Sequence, residues 1–132
     1  GDTHLWKDFK LQFLWPPKNW KSHRNDDSLV MQISFGDHVI LVMGDATCKV
    51  EKNLLKHKLL PEEIDILVVG HHGAKDASCS SFIDHVNPSK AVISVNKNNL
   101  RGYPAEEVIN RLKERGIKTH ITSKDGTFSS TF

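Results

Sequence analysis

Val39 to Asp45 reads VILVMGD and Asp65 to Gly73 reads DILVVGHHG, with a stretch of helical spacing between them. Each apolar run is built from Val, Ile and Leu, reaches a Gly, and hands over to a residue able to hold a proton or a metal ion. Such runs, flanked by turn formers, read as strands buried inside a sheet. The connecting segment is long enough for a helix, so the two strands can lie side by side and parallel, with their C-terminal ends together. Asp45 leaves the first strand, and His71 and His72 leave the second. A carboxylate and an imidazole then share one crevice at the strand ends, where open α/β sheets place their sites.

Working outward, Leu29, Met31, Ile33 and Phe35 alternate with Val30, Gln32 and Ser34, pause at Gly36-Asp37, and resume at Val39, which is a hairpin pattern. Phe9 to Trp15 alternates similarly and Pro16-Pro17 ends it. A turn-rich loop with Trp20, His23 and Asn25-Asp26-Asp27 separates these strands. On the other side of the quoted stretch, Val50, Leu54 and Leu55 form one apolar helical stripe among Lys49, Glu51, Lys52 and Lys56. Ser78 to Ser81 offers caps for a short helix carrying Phe82, Ile83 and Val86, which Asn87-Pro88 terminates. Ala91 to Val95 reads as a strand. Pro104 suits a first helical position, Glu106 and Glu107 the first turn, Arg111 to Arg115 the last, and Gly116 the stop. Ile117 to Thr122 and Thr127 to Thr131 then read as two closing strands around Lys124-Asp125-Gly126. The sum is an α/β fold, a mixed β-sheet with flanking helices, in a single domain over residues 1–132.

The 132 residues are 38% hydrophobic and 26% charged, with a formal charge of +2, an ordinary globular balance without the basic excess of a nucleic-acid footprint. Cys48 and Cys79 make no C-x-x-C pair and no disulfide framework, and neither lies among clustered basic residues that would activate a thiolate, so reduced thiols are expected. No apolar run approaches the ~20 residues of a membrane span, and the start lacks the pattern of a signal peptide. A soluble chain is expected, cytoplasmic if it stands alone. It starts at Gly1 rather than Met, as a processed product or a recombinantly expressed piece would.

Three motifs carry possible chemistry. Asp45 after Gly44 can bridge two metal ions or simply cap a helix. His71-His72-Gly73 fits a metal ligand beside a proton-transfer partner, or a hydrogen-bonded loop residue beside a solvated one. A ligand histidine must be neutral, whereas an acid–base histidine titrates near neutrality. Asn25-Asp26-Asp27-Ser28 could wall a site or cap a turn. His4, His38, His57, His85 and His120 read as surface residues.

The ordered set N-D-D-S-L-V, V-M-G-D, H-H-G, A-V-I-S-V-x-x-N-N-x-x-G-Y-P and T-x-x-D-G-T resembles the C-terminal half of the metallo-β-lactamase-fold domain of ComEC-type competence proteins and their stand-alone hydrolase relatives, from about Trp15 onward. The resemblance implies half of an αββα sandwich and a divalent metal, zinc or manganese. It makes Asp45 a bridging ligand and His71 a further one, with His72 as the alternative ligand and otherwise a catalytic residue. Asn25, with Asp26 beside it, stands where other members carry a metal-binding histidine. The implied reaction is phosphodiester hydrolysis, with nucleic acid as the substrate, in a soluble domain of a membrane competence protein or in a stand-alone enzyme.

Three departures bear on this. No H-x-H-x-D-H occurs in the chain, Ala74 replaces the serine of H-H-G-S, and Tyr103 replaces the histidine of G-H-P. A catalytic zinc generally needs about three protein ligands. The isolated chain is therefore expected to be inactive, either as the C-terminal part of a longer enzyme or as a half-fold that has lost the chemistry. Half a sandwich would also leave an inner sheet face bare, so self-association or an absent N-terminal partner is expected. A competing expectation is a non-catalytic module that binds a partner chain or DNA. A small-molecule site in an ordinary doubly wound domain is disfavoured by the absence of a Gly-rich phosphate loop.

Overall fold

A computed structural model describes residues 2–20 and 25–132; His23 lies outside them. The strands are β1 (Thr3–Trp6), β2 (Phe9–Trp15), β3 (Val30–Phe35), β4 (His38–Val42), β5 (Ile66–Val68), β6 (Lys90–Ile93) and β7 (Lys118–Ile121). The helices are α1 (Cys48–Lys56), α2 (Ser80–Val86), α3 (Glu106–Glu114) and the single turn α4 (Thr122–Asp125). All seven strands form one mixed sheet in sequence order, antiparallel from β1 to β4 and parallel from β4 to β7.

The order explains where the core lies. Each parallel strand is joined to the next by a helix, and successive crossovers of one hand in one direction place every helix on the same face. Leu41, Leu67, Val69, Ala91 and Ile93 of the sheet meet Val50, Leu54, Phe82, Ile83, Val86, Val108 and Leu112 of the helices there. Each such side chain contributes roughly 1.5–3 kcal/mol by leaving water. The helices thus cover one face rather than both.

The opposite face is apolar as well. Met31 and Ile33 lie across from Val42 and Ile40, Leu11 and Phe13 lie beside them on β2, and Ile66, Val68 and Val92 continue the surface across β5 and β6. Among the described residues no helix packs on it. The C-terminal segment crosses part of it: Phe128 meets His120 at 5.2 Å, Lys90 Nζ donates to Ser130 Oγ at 3.2 Å, and Phe132 packs on His38 at 4.7 Å and Phe35 at 4.9 Å.

This segment corrects one expectation, because Thr127 to Thr131 forms no strand. The Asp125 carboxylate accepts the Ile121 N–H at 2.8 Å, and Thr122 Oγ1 accepts from Val95 N–H at 2.9 Å, so the chain turns over the end of β6 instead of pairing with the β7 edge. Pro104 also falls before α3 rather than inside it. Ala105 holds the capping position in extended conformation because its N–H donates to Gly73 O at 2.8 Å. The unanticipated strand is β1, exposed along its whole length and so without a buried face to give it a period. The hairpin at Gly36, the helix over Val50 to Leu55, the parallel pairing of β4 with β5 and the stop at Gly116 are as expected.

Asp65 fastens the start of this parallel pair. Its carboxylate accepts the Val39 N–H at 2.8 Å and lies 3.3 Å from His38 Nδ1. Burial works to raise its pKa, but these two partners outweigh burial and hold it below the ordinary 3.8. A depressed carboxylate pKa gives stability that is complete above 3.8 and lost as pH falls through the folded-state value. Asp65→Asn is expected to lower stability at neutral pH by about 1 kcal/mol and to flatten the acid limb of a urea-midpoint-versus-pH curve.

Candidate functional site

The two strand exits touch through their backbones. After β4, Met43 extends the ladder by donating to Val68 O at 3.2 Å, and Gly44 turns at a φ of +54°. His71 N–H donates to Gly44 O at 2.9 Å, and Asp45 N–H donates to Ser28 Oγ at 3.0 Å. A side chain at Gly70 would place its Cβ 2.7 Å from Ala46 O, and one at Gly44 2.9 Å from Leu29 O. Only bare backbone permits this approach.

His71 and His72 are both left-handed, at φ of 49° and 54°. Two successive non-glycine residues in that region cost roughly 1–2 kcal/mol each, a strain that persists only where surrounding contacts over-determine it. The turn sends the two imidazoles into different surroundings.

His72 Nδ1 lies 2.7 Å from Ser94 O. A carbonyl only accepts, so Nδ1 carries the proton and the neutral ring keeps its lone pair on Nε2. That nitrogen lies 3.6 Å from Asp45 Oδ1, with the two side chains 51% and 47% exposed. The gap is too long for a direct hydrogen bond, and it matches two ligands sharing one ion held at roughly 2.0–2.1 Å from each.

His71 is 12% exposed, and both its nitrogens are engaged. Asn25 Nδ2 donates to Nε2 at 2.8 Å, which leaves Nδ1–H to donate to Asp76 Oδ1 at 3.1 Å. The Tyr103 ring sits edge-on to it at 5.7 Å. Asp26 lies apart from both histidines: it accepts from Thr47 Oγ1 at 2.7 Å and Lys49 Nζ at 2.9 Å, and its carbonyl accepts from Trp15 Nε1 at 2.6 Å. The structure therefore pairs Asp45 with His72 and Asn25 with His71, and it ties Asp26 to the start of α1.

Asp76 and Ser94, which orient the two imidazoles, carry no sequence signal, since one sits in an irregular loop and the other acts through its carbonyl. Asp45 and His72 offer two atoms of a kind that can ligate a metal. Among the described residues the one larger group of ligating side chains within mutual reach is Cys48, Glu51 and Cys79.

No family model matches the chain. It is 30% identical over 128 residues to ComE operon protein 3 of Bacillus subtilis, 32% over 121 residues to competence protein ComA of Neisseria gonorrhoeae, and 31% over 131 residues to recombination protein 2 of Haemophilus influenzae. These alignments cover 96%, 92% and 99% of the chain. These three relatives are competence proteins of the ComEC type. The chain spans 16% to 18% of the length of these competence proteins. No helix among its described residues is long and apolar enough to cross a membrane.

Gly73 closes the histidine turn at a φ of +75°, where an added Cβ would lie 2.7 Å from Pro104 Cβ. Gly73→Ala is expected to cost about 2 kcal/mol or more, read as a lower urea midpoint at unchanged slope.

Proposed function

We propose that this chain is the C-terminal segment of a metal-dependent phosphodiester hydrolase that acts on nucleic acid in DNA uptake. The observation that carries the reading is His72, whose Nδ1–H is committed to Ser94 O at 2.7 Å while Nε2 faces Asp45 at 3.6 Å. Ligand histidines are oriented in this way, by a hydrogen bond at the other ring nitrogen. Asp45 and His72 would hold one divalent cation, zinc or manganese. Such a cation supplies Lewis-acid activation of water and of a phosphoryl oxygen.

The remaining residues have supporting parts. His71, saturated by Asn25 and Asp76, keeps the turn in place and presents no free nitrogen to a ligand. Asp26, paired with Lys49, joins the Asn25 turn to α1. Two ligands fall short of the roughly three a catalytic zinc requires, so the complete enzyme takes others from outside this chain. The open apolar sheet face is a surface on which a second sheet could pack. A second reading is a non-catalytic module that binds a partner chain or DNA; the full engagement of His71 within the protein and the Tyr103 ring against it favour that one.

Manganese binding, followed by the loss of the free-ion electron paramagnetic resonance signal, separates the two. The metal reading expects Asp45→Ala and His72→Ala each to weaken binding by about tenfold or more, with His71→Ala changing it less. Equal binding by wild type and both variants would leave the non-catalytic reading. The partly covered apolar face makes a separate expectation. The chain should sediment as a concentration-dependent oligomer, and Ile33→Lys should shift it toward monomer.

A further inference from the structure

Cys48 and Cys79 are far apart in sequence, yet their sulfurs and a carboxylate oxygen of Glu51 all lie within 4.8 Å of one another. Cys48 and Glu51 are three residues apart on α1 and so share one helix face. Cys79 comes from the loop that leads into α2. That loop is held in place: Glu51 accepts the N–H of Ser78 at 2.7 Å and of Cys79 at 2.8 Å, and Arg111 Nη1 donates to Ser78 O at 2.7 Å and Ala77 O at 3.0 Å. Cys48 N–H in turn donates to Asp76 O at 2.6 Å.

The cluster lacks a positive charge. Glu51 is fully buried, and among the described residues no Lys, Arg or His forms an ion pair with it. A buried carboxylate is costly unless paired, and two backbone N–H groups offset only part of that cost. Burial pushes the Glu51 carboxyl up to about 8, and the hydrogen bond between the two thiols raises Cys48 and lowers Cys79, so one proton is held between the sulfurs. Both thiols are partly exposed, which gives an ion a way in.

We propose that Cys48, Cys79 and Glu51 form a three-ligand site, completed by water, for a soft divalent cation of the zinc class, separate from the Asp45–His72 pair, that clamps the start of α1 to the start of α2. Two sulfurs and one oxygen select zinc-like ions over magnesium or calcium. Binding displaces the proton held between the sulfurs and the proton on Glu51, and puts a cation among three ligands that have no cationic partner. Because Cys48 holds Asp76, and Asp76 holds His71, the clamp also steadies the histidine turn.

The test uses the reduced, metal-stripped full chain, titrated with zinc and, for optical readout, with cadmium. The expected results are a cadmium–thiolate charge-transfer band in the ultraviolet, a higher Tm, and alkylation of both thiols slowed about tenfold once zinc reaches ten times its dissociation constant. Cys79→Ser and Cys48→Ser should lose the band, while Asp45→Ala and His72→Ala should keep it. Alkylation of wild type at the same rate with and without zinc, or a band that survives Cys79→Ser, would overturn the proposal. So would a zinc-induced rise in Tm that is lost in Asp45→Ala and kept in Cys79→Ser, which would assign the binding to the other pair. Since the alkylation readout needs only wild type, a misfolded variant does not decide the outcome.

Discussion

The approach of two backbones at the C-terminal ends of β4 and β5 sets the geometry of everything near them. His71 N–H reaches Gly44 O at 2.9 Å, and Gly70 passes so close to Ala46 O that a methyl group would stand 2.7 Å away. Parallel pairing of the two strands makes the exits neighbours, and the glycines let them close. Asp45 and His72 then face each other with no further adjustment. Without that closure the same residues would lie on a sheet edge as separate, solvated side chains.

Much of this was legible in the sequence, because it depends on patterns that a sequence carries. Buried strands of Val, Ile and Leu ending in Gly announced β4 and β5, helical spacing from Val50 to Leu55 announced α1, and together they located Asp45 and the histidines in one crevice. The assignment of partners was not legible. Which imidazole faces Asp45 depends on two left-handed residues in succession, a conformation enforced by contacts with Gly44, Ser94 and Asp76. The last strand failed to form for a similar reason. Thr127 to Thr131 has strand-compatible residues, but Asp125 and Thr122 fold the chain over the sheet before it can pair. The thiol cluster was hidden because Cys48 and Cys79 meet only through tertiary packing.

The sheet is covered on one side because β4 to β7 advance in a single direction. Uniform crossovers leave no helix for the other face, and the apolar residues of β2 to β6 line it all the same. The C-terminal segment reaches from His120 to Phe35 across part of this surface, where Ile66 and Val92 are buried outside the main core. Met31, Ile33, Ile40 and Val42 on it are only partly buried, which leaves apolar area that a further layer could cover. It accords with a chain that matches only a fraction of the length of its competence-protein relatives.

Residues 70–79 join the two candidate metal sites, and the manner in which they are held argues for preorganisation. Two strained histidines would relax if the segment could move, yet it is fixed at both ends: by Gly44 at the start, and by Glu51 and Arg111 at Ser78 and Cys79. Asp76 sits between, holding His71 through its side chain and Cys48 through its carbonyl. Strain stored in such a frame fixes the side chains of both proposed sites within the protein itself, so the ordering cost of any ligand they take would be met in folding rather than in binding. A buried carboxylate therefore has a part in the histidine turn without touching it: Glu51 fixes the loop that fixes Asp76, and Asp76 sets the ring orientation of His71.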